Sequence, residues 1–557
     1  MGLCFSKNDI RDNQNITGHL PVPERIIKKL YNSIVNLRFK NTKNKDVYAT
    51  GFFMLIKLKN KNGKYLFTCK HVISDEDIEN KIIIDLYYGE KEKENKIIIN
   101  LDKKIRCIKT FETDIALIEL IEEDKISEDK CLIPDSNYEY GYEKYLNNYF
   151  YIAGYPADSY DRCVSSGQIT YISDNYYDFE HTLSTTCGSS GSPICNETGN
   201  VIGIHKQGNN KENTNYGSFI GAIIEFVKNE ENKDISNYIK APSQGNHIAA
   251  SSGSLDYGIP PTPTVLSNET AKMFSKIFKA PNQGNHSAAF TSSFGFINHL
   301  KKITTVSNGS LGYDIPFTRT PSILSFETNK YFHNDIKNIP VPEIVWNKLC
   351  NSIVKIQFLN CKKIYKFSTG FFMYITINHK KYKSLITNAS ITEEDILNKI
   401  RINLFCGPKN QHQIIKIKLD GSKRYIHNFS NLEIDATLIE IINNDNIPND
   451  KYLIPDWSYK KGYEKYKDIF FYIAGYPEKP NERCISSGKI NYCYENGFLH
   501  SLFKTKILSG SPICNEKCEV IGINTDNGYD NNQNGNFIGK ILDYLEEEIN
   551  KKSNLKN

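Results

Sequence analysis

At about 150 residues per domain, the 557 residues of this chain suggest three or four domains, and a 39% hydrophobic content is enough to form globular cores. Lys and Arg total 69 and Asp and Glu total 64, so the net charge of +5 is small. Without a basic block, we expect no nucleic-acid partner. The absence of any apolar run of about 18 residues excludes a membrane-spanning helix, and the N-terminus lacks the apolar core of a secretory signal.

The N-terminal sequence MGLCFS matches the pattern M-G-x-x-x-[ST], which predicts N-myristoylation of Gly2 after removal of Met1. Cys4 is a candidate for palmitoylation, and stable anchoring requires two such acyl chains. We therefore predict that residues 1–19 are an acylation segment that holds a cytoplasmic protein on the cytosolic face of a membrane. The alternative is that the chain begins with Met-Gly by chance.

The 14 cysteines form no paired C-x-x-C clusters of the kind that bind structural zinc. Because the sequence shows no secretory signal, we expect these cysteines to be reduced thiols. The sequence therefore predicts neither a metal site nor a cofactor.

The sequence contains an internal duplication. LPVPERIIKKLYNSIVNL at 20–37 returns as IPVPEIVWNKLCNSIVKI at 339–356, and SGSPICNE at 190–197 returns unchanged at 509–516. The offset is 319 residues in both pairs. A period this long indicates two tandem domains rather than a solenoid.

Each copy is predicted to be mainly β-structure, because short β-branched and aromatic runs alternate with turn-forming Asn, Gly, Asp and Lys. About ten short strands per copy favour a sandwich or a barrel. Between the copies the chain is rich in Ser, Gly, Pro and Asn, which is typical of a flexible linker. We predict domains at 20–232 and 336–552, a linker at 233–335, and a C-terminal helix at 538–550 from its apolar spacing.

Three segments of the first copy carry residues suited to nucleophilic acyl transfer. His71 follows an apolar strand in TCKHVI, Asp114 precedes one in TDIALIEL, and Ser190 lies in the glycine-rich turn of TTCGSSGSPI. A serine hydroxyl needs a neighbouring base such as His, whose tautomer a carboxylate can fix. In that turn, Gly188 allows the amides of Gly188 and Ser190 to converge on an oxyanion. Each residue alone is more often a core His, a turn Asp or a structural turn, so the joint pattern carries the prediction.

In this order of His, Asp and Ser, the first copy resembles the trypsin-like (chymotrypsin-fold) serine peptidases, and among them the staphylococcal glutamyl endopeptidases. The similarity covers about residues 25–228 and is sharpest over LSTTCGSSGSPICNETGNVIGIHKQG. The resemblance implies two six-stranded β-barrels with the active site in the cleft between them. One departure is GSSG in place of the commoner GDSG or GNSG, whose middle residue mainly supports the turn.

The resemblance also implies a specificity pocket. Thr185 and His205 stand five residues before and fifteen residues after Ser190, as the corresponding Thr and His do in glutamyl endopeptidases. Polar donors at these positions imply a serine endopeptidase that cleaves a protein or peptide substrate after Glu, or after Gln. Two alternatives remain: a non-catalytic binding or scaffold protein built from two peptidase-like barrels, and an esterase that uses the same residues.

The second copy lacks the base. Aligning ITEEDI with ISDEDI places Ala389 opposite His71, whereas Asp435 and Ser509 match the other two triad positions. Without a base, Ser509 has nothing to deprotonate it. Four further site positions also differ, with Lys504, Ile507, Leu508 and Asn524 in place of Thr185, Gly188, Ser189 and His205. We therefore predict an inactive, pseudopeptidase second domain that serves as a scaffold or a substrate-docking module.

Overall fold

The computed structural model describes residues 20–89, 94–156, 161–174, 176–209, 214–238, 339–408, 413–477, 482–502, 509–525 and 533–554. The chain divides into two compact units, one made of residues 1–240 and 332–557 and the other of residues 241–331. Both copies of the duplication therefore belong to the first unit. Several predicted features lie outside the described residues, namely Gly2, Cys4, Lys504, Ile507, Leu508 and nearly all of the linker.

The first copy begins with a short strand and a helix, β1 (Val22–Pro23) and α1 (Glu24–Ser33). Seven antiparallel strands follow: β2 (Ile34–Lys40), β3 (Asp46–Lys57), β4 (Asn62–Cys69), β5 (Ile83–Tyr88), β6 (Asn95–Asn100), β7 (Ile108–Phe111) and β8 (Ile115–Glu119). Their order in the sheet is β6-β5-β2-β3-β4-β8-β7. The β-branched and aromatic residues of β3 and β4 supply much of the buried core, as their composition predicts.

The second half of the first copy is a closed six-stranded barrel. Its strands are β9 (Tyr149–Gly154), β10 (Cys163–Ile172), β11 (Asp178–His181), β12 (Pro193–Cys195), β13 (Val201–Asn209) and β14 (Thr214–Phe219). Strand β10 pairs with both β9 and β11, which closes the ring. A helix after β4, α2 (Asp75–Glu79), and a helix after β14, α3 (Gly221–Tyr238), complete the copy.

The second copy repeats this arrangement. It begins with β15 (Val341–Pro342) and α4 (Glu343–Ser352), and its first sheet contains β16 (Ile353–Leu359), β17 (Tyr365–Ile377), β18 (Lys380–Thr387), β19 (Arg401–Cys406), β20 (Gln413–Lys418), β21 (Ile426–Asn428) and β22 (Thr437–Glu440), with α5 (Glu393–Leu397) after β18. Its second barrel contains β23 (Ile454–Pro455), β24 (Phe470–Gly475), β25 (Cys484–Cys493), β26 (Gly497–His500), β27 (Pro512–Cys514), β28 (Glu519–Thr525) and β29 (Gln533–Phe537).

The predicted C-terminal helix is present as α6 (Ile538–Asn554). The prediction of a mainly β fold with tandem chymotrypsin-like double barrels is confirmed. The first sheet of each copy differs in detail from a six-stranded barrel: it has seven strands, and within the described residues no ladder joins its two edge strands. In the part of the chain that the structure describes, no helix is long and apolar enough to cross a membrane.

The apolar core is not confined to one copy. A single cluster of buried side chains runs through both barrels of the first copy and into the second copy. A separate cluster fills much of the first sheet of the second copy.

Candidate active site

The pairing of β4 with β8 brings His71 and Asp114 together. Cys69 at the end of β4 lies opposite Ile115 at the start of β8, so the residues that follow and precede them meet at one edge of the sheet. His71 Nδ1 lies 2.7 Å from Asp114 Oδ2, and the His71 backbone N–H donates to Oδ1 at 2.9 Å. This arrangement leaves His71 Nε2 as the nitrogen available to accept a proton.

Asp114 is held in an uncommon backbone conformation with φ = 63°. Asp tolerates the left-handed region better than most residues, but such a position needs support from its surroundings. Burial alone would raise the pKa of Asp114; the hydrogen bond and the charge of His71 outweigh it, so this pKa is lowered. Asp114 is therefore an ionised acceptor for the imidazole at neutral pH.

The Ser190 turn is anchored by the first barrel. Gly188 and Gly191 both have positive φ, at 90° and 89°, and a Cβ on Gly191 would lie 2.0 Å from the carbonyl oxygen of Thr50. The Thr50 N–H donates to the Ser190 carbonyl at 3.0 Å, and its hydroxyl donates to the Gly188 carbonyl at 2.9 Å. Only glycine fits these two positions without strain.

Two backbone amides of this turn have no protein partner within the part of the chain that the structure describes. Among the described residues, the N–H groups of Gly188 and Ser190 have no hydrogen-bond acceptor. The neighbouring N–H of Gly191 donates to the His205 carbonyl at 2.9 Å. The two remaining amides can therefore bind a negatively charged oxygen.

The structure brings the Ser190 turn close to the His71 loop, although the hydroxyl has another partner. The His205 carbonyl accepts from the Gly191 N–H and from the Cys69 thiol at 3.2 Å, which joins the two loops at one atom. Ser190 Oγ donates to the Lys206 carbonyl at 2.8 Å. Within the described residues, no hydrogen bond joins Ser190 to His71, so the hydroxyl must rotate before it can pass its proton to the imidazole.

The two predicted pocket residues lie beside the same strand, His205 on β13 and Thr185 in the loop between β11 and β12. His205 on β13 is opposite Gly217 on β14, and the Thr185 hydroxyl donates to Asn215 Oδ1, two residues along β14, at 3.0 Å. The His205 side chain is buried, and burial lowers its pKa to about 3, with a smaller contribution from His71. His205 is therefore neutral at physiological pH, whereas the sequence left a charged form open.

Sequence reasoning missed a second buried histidine. His181 Nε2 lies 3.2 Å from His205 Nδ1, and burial lowers the pKa of His181 well below its ordinary value. The paired nitrogens fix how the His205 ring is oriented. The signal was present in the duplication, since His181 in FEH corresponds to His500 in FLH of the second copy.

A second missed cluster connects the barrels beside Asp114. Ser218 Oγ donates to the carbonyl of Thr113 at 2.7 Å and also contacts Asp178, which accepts from Lys206 Nζ at 3.1 Å. Thr113 immediately precedes Asp114 in the chain, so these contacts hold the turn that carries the carboxylate. The contact of Ser218 with Thr113 joins residues 105 positions apart, so no local motif reveals it.

Cys69, His71 and Asp114 are the one group of described residues whose donor atoms lie close enough together, within 4.8 Å, to hold a metal ion. Each of these groups already has a protein partner: the thiol donates to the His205 carbonyl, and the imidazole contacts the carboxylate. The hydrogen bonds account for the cluster without a metal.

Residues 49–204 match the family model described as a trypsin-like peptidase domain. The first copy contains a trypsin-like peptidase domain. The predicted resemblance is thereby confirmed. Glutamyl endopeptidases of Staphylococcus aureus strains MW2 and MSSA476 are each 35% identical over 109 residues, or 19% of this chain and 29% and 28% of theirs. The chain thus spans less than a third of these relatives.

Among solved structures, the serine endoprotease from Yersinia pestis is similar at 15% identity and a TM-score of 0.28, covering 37% of this chain and 65% of that one. The HtrA-type protease AlgW with tripeptide is similar at 14% identity and a TM-score of 0.27, covering 36% of this chain and 60% of that one.

The corresponding site of the second copy is altered. The Ala389 N–H donates to Asp435 Oδ1 at 2.8 Å, the backbone contact that His71 makes in the peptidase domain, so a methyl group stands where the imidazole would be. The Asn388 amide donates to Ser509 Oγ at 2.7 Å. At the pocket, Asn524 Oδ1 contacts a buried histidine at 2.9 Å.

Proposed function

We propose that the first copy is a serine endopeptidase that acts through His71, Asp114 and Ser190. The observation that carries the proposal is the His71–Asp114 pair at 2.7 Å, facing a serine turn with two unpaired backbone amides. The trypsin-like family match supports the same reading. These parts together supply a base, a carboxylate that orients it, a nucleophile and an oxyanion site.

The proposed reaction begins when the Ser190 hydroxyl leaves the Lys206 carbonyl and turns towards His71. His71 Nε2 takes its proton as Oγ attacks the scissile carbonyl, and the amides of Gly188 and Ser190 bind the resulting oxyanion. The imidazolium returns the proton to the leaving amine, which leaves an acyl-enzyme. Water then attacks that ester with His71 as the base, which regenerates Ser190.

The proposed preference is for Glu, or Gln, on the acyl side of the bond. Thr185 and the neutral imidazole of His205 are polar groups suited to the end of such a side chain. A neutral ring can donate one hydrogen bond to either a carboxylate or an amide. A bound carboxylate would raise the pKa of His205, because a nearby negative charge favours the protonated ring.

Turnover of a peptide library by the full chain tests both proposals. We expect cleavage after Glu or Gln, abolished by Ser190→Ala and unchanged by the matched Ser509→Ala. Cleavage mainly after Lys, Arg or Leu would refute the pocket and leave the triad standing. Turnover of simple esters but not of peptides would favour the esterase. No turnover of any substrate would favour the non-catalytic binding protein.

We also propose that the second copy is catalytically inactive. Ala389 in place of the base and the Asn388–Ser509 hydrogen bond support this assignment. Ser190→Ala in the full chain removes the first site and isolates any contribution of the second. Residual turnover that disappears when Ser509→Ala is added would overturn the assignment.

The location proposed for the protein is the cytosolic face of a membrane, through acylation of Gly2 and Cys4. The N-terminal pattern supports it. Because one myristoyl chain alone binds only weakly, at about 10⁴ M⁻¹, a second acyl chain on Cys4 would be needed for stable anchoring. Membrane fractionation should show wild type bound, Cys4→Ser partly released and Gly2→Ala soluble. Identical distributions of the three proteins would contradict it.

A further inference from the structure

The first strand of each copy pairs with the second barrel of the other copy. Strand β1 runs antiparallel to β25, with Val22 opposite Ile485. Strand β15 runs antiparallel to β10, with Val341 opposite Val164. The same elements therefore meet twice in reversed roles, as in an isologous dimer interface.

A buried ion pair follows each strand. Arg483 Nε donates to Glu24 at 2.8 Å, and Arg162 Nε donates to Glu343 at 2.8 Å, each pair with a second guanidinium contact. All four side chains are buried. The backbone N–H of each Glu also donates to the carbonyl of the Arg that it contacts, at 2.8 and 2.7 Å.

Each guanidinium also bonds within its own copy. Arg483 Nη1 donates to the Cys350 carbonyl at 2.8 Å, and Arg162 Nη1 donates to the Tyr31 carbonyl. These carbonyls belong to α4 and α1, the helices that begin with Glu343 and Glu24. Each Arg thus links the last turn of the helix in its own copy to the first turn of the helix in the other copy.

The charges depend on these contacts. Burial would raise the pKa of Glu24, but the hydrogen bonds and charges of Arg483 and Lys28 together outweigh it and lower this pKa. Removing one partner of such a pair leaves the other charge buried without compensation, which is costly. The apolar core that continues across the same contact adds non-directional attraction.

We infer that the second copy is a structural subunit of the peptidase, bound to the first copy by this pseudo-symmetric interface and not merely tethered by the linker. The inactive copy contributes β15 and Glu343 to the barrel that carries Ser190. Strand β10, to which β15 is added, also contacts the pocket loop, because Ser165 Oγ donates to the carbonyl of Ser184 at 2.8 Å. The inference does not rest on the proposed activity.

Cleavage of the linker in the full chain tests the inference. A recognition sequence for a site-specific protease is inserted within 241–331, the protein is cut, and the fragments are separated by gel filtration at low micromolar concentration. We expect the two halves to co-elute at the position of the uncut chain. Separate elution of the halves would overturn the inference.

Charge-neutralising variants then test the interface itself. In the cut protein, Glu24→Gln and Glu343→Gln should each weaken the association of the halves by about 100-fold or more. The control Glu547→Gln removes an exposed pair with Lys551 and should leave association unchanged. Association as tight as in the control, or an effect of only one of the two variants, would contradict the pseudo-symmetric pair.

A milder variant distinguishes loss of the ion pair from loss of folding. Arg162→Lys keeps the charge but loses the two-pronged geometry, so we expect weakening between wild type and Glu343→Gln. Circular dichroism of each uncut variant should match wild type, because the linker still holds the copies together. All readouts are association and folding, so they stand whether or not Ser190 proves to be a nucleophile. Arg162→Lys binding as tightly as wild type would contradict the role of the ion pair.

Discussion

The two copies share a backbone and differ in chemistry. At the base position, His71 and Ala389 donate the same backbone hydrogen bond to an aspartate, yet only His71 has a side chain that accepts protons. Asp114 has φ = 63°, whereas Asp435 is not among the residues with positive φ. The barrels thus persist without the site, which indicates that the core and not the cleft specifies the fold.

Between the two copies, some contacts around the site are kept in part and others are replaced. The buried pair of His181 and His205 becomes His500 and Asn524, which keeps a hydrogen bond and loses one imidazole. The cluster beside Asp114 is replaced, with Gly497, Thr525 and Asn536 at the positions of Asp178, Lys206 and Ser218. A contact to the aspartate turn remains, in which Asn536 Oδ1 accepts from the Asp435 N–H at 2.9 Å. The second copy has thus lost the imidazole and the lysine–aspartate pair beside the site, whereas Asp435, Ser509 and the buried His500 remain.

Removing the base should produce the largest difference between the copies. His71→Ala is expected to lower kcat/KM by roughly 10⁴–10⁶-fold, because Ser190 then has no group to take its proton. In the second copy Ala389 already stands at this position, so the control is Asn388→Ala, which removes the side chain that contacts Ser509 and should alter kcat/KM by less than about twofold. Steady-state peptide hydrolysis measures both. A large loss for Asn388→Ala would mean that the second copy takes part in catalysis.

Copying the second pocket into the first should alter specificity. His205→Asn is expected to lower kcat/KM for Glu substrates by about 10²-fold and for small apolar side chains far less, since a site built on polar donors loses a donor. Kinetics on a matched series with Glu, Gln and Ala before the scissile bond measure this. The control Asn524→Ala should leave the series unchanged, and an equal loss for every substrate would refute a pocket role for His205.

Loosening the turn that carries Asp114 should have a smaller effect. Ser218→Ala is expected to lower kcat about tenfold, corresponding to ~1.4 kcal/mol, with KM nearly unchanged, because Ser218 positions Asp114 without touching the substrate. Ser218→Thr keeps the hydroxyl and should recover most of kcat. Asn536→Ala in the second copy serves as the control. A rise in KM with kcat unchanged, or no recovery of kcat by Ser218→Thr, would refute a positioning role.

Acid should destabilise the protein through its buried histidines. Burial lowers the pKa of His205 to about 3, that of His500 to about 4, and that of His181 well below its ordinary value. The unfolded chain binds protons below about pH 6.5 that the folded chain excludes, so stability falls as pH drops from there, by up to about 1.4 kcal/mol per unit for each histidine.

Urea unfolding midpoints at pH 7, 6 and 5 measure this effect. Two of the three buried histidines lie in the first copy. His181→Gln removes one of them, so it should flatten the dependence of the unfolding midpoint on pH. A midpoint that is constant or rises towards pH 5 would contradict the buried, neutral state of these rings.

Features that are encoded in short segments of the sequence could be predicted from it. The β-rich fold, the pairing of His71 with Asp114 and the place of Ala389 opposite Asp435 all agree with what short strings and their recurrence predict. The helix that follows each base position starts with the same capping arrangement, Ser74 with Asp77 and Thr392 with Asp395, which is why the ISDEDI and ITEEDI alignment places Ala389 correctly.

The remainder depended on contacts between distant residues. The pairing of Glu24 with Arg483 spans 459 positions, and the Ser218 contact with Thr113 spans 105. Neither residue type is unusual in its local context, so sequence periodicity carries no trace of such contacts. The neutral state of His205 likewise follows from burial, which only the folded barrel reveals.

In the function proposed here, one copy of a duplicated fold holds the nucleophile. Labelling of the intact protein with a fluorophosphonate, followed by mass spectrometry of the labelled peptides, tests it most directly. We expect modification of Ser190 alone, lost in His71→Ala, with Ser509 unmodified. Modification of Ser509, or no modification of Ser190 in the folded wild-type protein, would contradict it.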